Sequence, residues 1–112
     1  GDMAGNERTV TVAVGADQTV NLHNLAGSVH LIADLAGFYT PDYGAVFLPL
    51  DPTRVLDTRY GTGGTAGPLG PRATLELDML EWSPLTVTGA VLNVSHAAVS
   101  QQGHSLDWMI DG

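Results

Sequence analysis

Cysteine and lysine are both absent from this 112-residue chain. Without thiols there is no disulfide framework, no thiolate ligand for a metal and no cysteine nucleophile, and the redox compartment is left open. Every basic residue is an arginine (Arg8, Arg54, Arg59, Arg72), and four of them face twelve acids for a net charge of −8. A chain this poor in cations offers no basic stripe to neutralise phosphates, which argues against nucleic acid and against anionic membrane surfaces as partners. Long apolar runs are missing as well. The nearest approach, residues 29–38, is interrupted by His30 and Asp34 and is too short for a bilayer-spanning helix, so no membrane insertion is expected. No signal, lipidation or transit motif is visible, and a piece cut from a longer precursor would look the same.

The residues that are present describe one small globular unit. Hydrophobic side chains make up 44% and charged ones 14%, a composition that collapses rather than stays disordered. Its length suits one core and not two. Strand and turn signals run almost end to end. Residues 9–14 (TVTVAV) alternate with the period of a half-buried strand, 15–17 (GAD) carry turn chemistry, and 19–23 (TVNLH) resume the alternation, which predicts a hairpin. A long strand is expected over 28–39, two short ones over 47–50 and 54–58, and others over 73–79, 86–94 and 105–110. Residues 61–71, with five glycines and two prolines, read as an exposed loop. No window carries a 3.6-residue apolar period. The expected fold is all-β, an antiparallel β-sandwich of about seven or eight short strands, with a β-barrel or a β-trefoil-like arrangement as the alternative.

The densest segment is FLPLDPTRVLDTR over residues 47–59, with two prolines, two arginines and two aspartates around an apolar centre. Proline cannot donate to a ladder, so Pro49 and Pro52 place this stretch at a sheet edge or a bend. Along an extended strand Asp57 and Arg59 share a face, with Arg54 opposite unless the backbone bulges. A planar guanidinium suits two-point pairing with a carboxylate, so Arg54, Asp57 and Arg59 are candidates for a structural polar network. His30 and Asp34, four apart on one strand, join them. Asp34 is the candidate acceptor for Arg59 or for backbone amides. Phe38 and Phe47 are assigned to the core. Tyr39, Tyr43, Trp82 and Trp108 are the candidate interaction aromatics, able to stack on a sugar ring or a partner.

Four segments, FLPLDPTRVLDTR, GPLGPRATLEL, TGAVLNVSHA and SVHLIADLAGFYT, together resemble a repeat module of secreted and surface proteins of high-GC Gram-positive bacteria. In that module a proline-broken strand ending Arg-Val-Leu-Asp-Thr-Arg comes first, and one ending Ala-Asp-Leu-Ala-Gly-Tyr-Tyr comes last. Here the order is reversed. The resemblance therefore implies a single β domain in which 1–43 is the second half of one unit and 44–112 the first half of the next. It further implies an extracellular or cell-surface location, an accessory role and no reaction. Residues 79–84 and 105–108 depart from the module's pattern, around Trp82 and Trp108.

Chemistry-bearing clusters are sparse. His23, His30, His96 and His104 fall in separate segments with no metal-ligand spacing. No serine stands in a nucleophile frame, and the aspartates lack the loop spacing of a calcium site. No catalytic set, metal or cofactor is expected. The leading expectation is a non-catalytic structural or interaction module that decorates a surface, fibre or virion. Copies of itself are the expected partner, through strand exchange at a sheet edge that the permuted order leaves unfilled. The alternative is a carbohydrate- or cell-wall-binding module appended to an enzyme.

Overall fold

The computed structural model describes residues 7–41, 46–83, 86–99 and 108–112. Among them the chain forms seven strands: β1 (Glu7–Ala13), β2 (Thr19–Asn24), β3 (Val29–Thr40), β4 (Val46–Asp57), β5 (Thr74–Asp78), β6 (Gly89–Ala98) and β7 (Trp108–Asp111). They make two antiparallel sheets, ordered β1-β6-β3-β4 and β5-β2-β7, which is a β-sandwich. No helix among the described residues is long and apolar enough to cross a membrane.

Period-two alternation builds the core. Val20 and Leu22 of β2 with Leu75 and Leu77 of β5 form one inner face, and Leu31, Ala33 and Leu35 of β3 with Leu92 and Val94 of β6 form the other. Each valine or leucine side chain removed from water in this way contributes about 1.5–3 kcal/mol. β6 lies between β1 and β3 and carries no charged residue, as an interior strand should.

The predicted hairpin over residues 9–23 does not form. β1 pairs with β6 and β2 with β5 and β7, so residues 15–17 carry the chain from one sheet to the other. The crossing is held by Gln18, which adopts φ 65°. Its buried side-chain amide donates from Nε2 to the Val87 carbonyl at 3.0 Å and accepts from the Val87 amide at 2.8 Å. A side chain here replaces one rung of a backbone ladder, which no alternation pattern reveals. Asn24 does similar work at the far end of β2, donating to the carbonyls of Gly27, Leu69 and Gly70 at 2.9, 2.9 and 3.0 Å.

The two expected short strands over 47–58 are one continuous edge strand, β4. It reaches past its prolines by changing register twice against β3, once between Ala33 and Asp34 and once between Leu35 and Gly37. The second change moves β3's alternation by one residue, so Phe38 points inward at 3% exposure while Tyr39 and its partner Phe47 point out. Phe47 is therefore not a core residue. It is 40% exposed, with its ring 5.0 Å from Tyr39 and its edge above Gly37. The segments 1–43 and 44–112 interleave throughout: β1 joins β6, β2 joins β5 and β7, and β3 sits between β4 and β6.

Candidate functional site

The segment RVLDTR closes β4 onto β3 through two linked polar centres. Between Ala33 and Asp34 the register shift leaves Val55 unopposed and sets Arg54 across from Asp34. Arg54 then donates from Nε and Nη2 to the two Asp34 oxygens at 2.8 and 3.2 Å, the two-point geometry a guanidinium favours. Asp34 thus pairs with Arg54, not with the expected Arg59, because the bulge brings Arg54 onto its face.

Asp57 is the second centre. It is 2% exposed and accepts from the Arg59 backbone amide at 3.1 Å, from Arg59 Nε at 3.0 Å and from Arg59 Nη2 at 2.9 Å, with Arg54 Nη1 at 3.5 Å. The hydrogen bonds from the Arg59 guanidinium hold its carboxyl below the usual carboxylate range against the opposing effect of burial. Its carbonyl accepts the amides of Tyr60, Gly61 and Thr62, and its own amide donates to the Thr62 carbonyl at 2.9 Å. One residue therefore ends β4 and starts the glycine-rich loop.

Next to it, buried Thr58 accepts from the Leu31 amide at 3.0 Å and lies 2.9 Å from His30 Nδ1. Arg54, Asp57, Arg59 and Asp34 come together, whereas His30 belongs to Thr58. The pairing of His30 with Thr58 was not legible, because it depends on β4 being the antiparallel neighbour of β3 in a register that sets Asp57 across from Ile32.

The candidate aromatics scatter. Tyr39 is half-buried on the outer face against Phe47, and Tyr43 lies outside the described residues. Trp108 is corrected from an interaction residue to a core residue. It is 3% exposed, because β7 turns it inward opposite Asn24, and Arg8 lies over its ring at 4.0 Å. Trp82 is half-buried and packs one side on the core. The aromatic that sequence reasoning passed over is Tyr60, 77% exposed at the head of the glycine loop, with Arg59 5.0 Å from its ring.

Two surface depressions bear on the search for a site. One, of about 370 Å³, is lined by Gly63, Gly64, Glu81 and Trp82. The other lies over the small sheet, where His23 Nε2 meets Asp111 at 3.1 Å and His23 Nδ1 meets Thr74 at 2.8 Å, beside Arg72 and Met109. No group of three or more His, Asp or Glu placed to hold a metal occurs among the described residues.

Among the described residues, the first half of β4 is a continuous exposed apolar feature. From Val46 to Arg54 every residue is exposed, and only the last three residues of the strand are buried. Val46, Phe47, Leu48 and Leu50 are 39–40% exposed on a strand paired only with β3. No family model, no curated protein and no solved structure matches the chain.

Proposed function

We propose that this is a non-catalytic interaction module that associates with further copies of itself through the exposed half of β4. The observation that carries this reading is the run of Val46, Phe47, Leu48 and Leu50, apolar on both faces of an edge strand and about two-fifths exposed. An uncovered apolar edge of this kind is a site for another chain. A second copy suits it because residues 46–50 contain no charge. In a chain of net charge −8 this is where two like molecules meet with least repulsion.

Pro49 and Pro52 lack amide hydrogens, so they limit ladder extension and leave side-chain packing as the larger contribution. The same edge serves a module that decorates a surface, fibre or virion, where copies stand side by side. That setting, and an extracellular or cell-surface location, is supported by the resemblance of RVLDTR and ADLAGFY to the bacterial surface repeat.

Sedimentation equilibrium over a concentration series is the test. The protein is expected to shift from monomer toward dimer or larger species below about 1 mM, a threshold equivalent to about −4 kcal/mol. Leu48→Lys places a charge at the centre of the patch without touching the core and is expected to weaken association at least about tenfold. A strict monomer throughout the series overturns the reading.

A further inference from the structure

We propose that the depression beside Trp82 is a carbohydrate subsite that takes one neutral pyranose ring. This proposal is independent of association through β4. Trp82 is positioned by a short capped turn. Asp78 Oδ1 accepts the Leu80 amide at 2.9 Å to start the 3₁₀ helix Met79–Glu81, whose first carbonyl accepts the amides of Trp82 and Ser83 at 3.0 and 3.1 Å. The Met79 amide is itself tied to the Gln18 carbonyl at 2.8 Å. The indole is thus mounted on rigid backbone, one side against the core and the other bounding the depression.

A pre-positioned, half-buried indole is the group that the apolar C–H face of a pyranose packs on. It also loses little rotamer freedom when it binds. Among the described lining residues, Gly63 and Gly64 contribute no side chains. Gly63 is locked by crowding, since a Cβ there would come 2.5 Å from the Val55 carbonyl oxygen, and its φ is 88°. Gly64, at φ 100°, has nothing within 4 Å of where a Cβ would be. A ring seated on Trp82 therefore has bare backbone at these two lining positions. Glu81, exposed at the rim, supplies two carboxylate oxygens that accept hydroxyl hydrogens. At about 370 Å³ the depression falls within the roughly 300–1,000 Å³ typical of small-ligand sites.

Charge decides which sugars fit. Glu81 at the rim of a chain of net charge −8 repels uronic acids and phosphorylated polymers, which leaves neutral or N-acetylated rings.

The test titrates the full chain with cellotriose, tri-N-acetylchitotriose and, as the acidic comparison, trigalacturonate, read by calorimetry and by tryptophan emission. Trp108 is buried, so a change on binding reports Trp82. At least one neutral trisaccharide is expected to bind saturably and trigalacturonate to fail. Trp82→Ala should weaken binding by at least about tenfold, and Glu81→Gln by about threefold or more. If Trp82→Ala does not fold, Trp82→Phe and the exposed Glu81→Gln decide. Lack of saturation by both neutral sugars up to about 50 mM, equivalent to under about −2 kcal/mol, overturns the proposal. So does unchanged affinity in the foldable variants, or tighter binding of trigalacturonate.

Discussion

Asp57→Ala is expected to lower the unfolding free energy by about 3 kcal/mol, measured by urea denaturation near neutral pH. The carboxylate is 2% exposed, and its loss removes three hydrogen bonds from Arg59 together with the 3.5 Å contact to Arg54. The arginines left behind keep much of their side chains in water, 46% for Arg54 and 34% for Arg59. The cost therefore stays at the lower end of that for a broken buried pair. Asp34→Ala, which breaks a pair between an exposed arginine and a half-buried, solvent-accessible aspartate, should cost about 1 kcal/mol or less.

The pH dependence of Asp57 follows in sign. Its folded carboxyl titrates below its ordinary value, so it binds fewer protons folded than unfolded over that interval. The stabilisation is complete above the unfolded value near about 3.9 and is lost as pH falls through the lower folded value. The acid limb of the wild-type stability curve should be steeper below about pH 4 than that of Asp57→Ala. Coincident acid limbs would sink the assignment.

Gly37→Ala is expected to destabilise by about 2–3 kcal/mol even though it adds one methyl group. Gly37 does not need an unusual backbone angle; it needs empty space. A Cβ there would stand 2.6 Å from the Phe47 ring and 2.7 Å from the Leu48 carbonyl oxygen. The ring can rotate away, but the carbonyl belongs to the ladder that holds the first half of β4 on β3. Gly70→Ala is the matched control, since a Cβ there meets nothing within 4 Å, and it should change stability by about 0.5 kcal/mol or less. Equal denaturation midpoints for the two variants would rule out this account of Gly37.

What was legible in the sequence was the local pattern. TVTVAV and TVNLH alternate and are strands, the Pro49–Pro52 stretch lies at a sheet edge, and the β-branched run after residue 86 leads into an interior strand. What was not legible were features that require knowing which strand lies opposite. The turn at 15–17 has hairpin chemistry, yet Gln18 finds a partner sixty-nine residues away and the chain crosses between sheets. Phe47 and Trp108 exchanged their expected roles for different reasons. Trp108 faces the core because β7 pairs with β2 and sets it opposite buried Asn24. Alternation assigns faces only until a bulge, and the shift at Leu35/Gly37 turns Tyr39 and its partner Phe47 outward. Arg54 shows the condition met in the other direction, since a bulge brought it to Asp34. Glu81 and the pair Gly63 and Gly64 carry no signal of their own, because their proximity depends on the glycine loop folding back to the end of β5.

The order of the strands also bears on when the molecule can close. β7 comes last among the described strands, yet it supplies one flank of the three-stranded sheet and delivers Trp108 into the core. Until it docks, β2 has one free flank and the apolar interior is open at the site Arg8 later covers. The small sheet and the core around Trp108 are therefore completed by the described strand most distant along the chain from β2, so their closure depends on a long-range pairing rather than on a local hairpin.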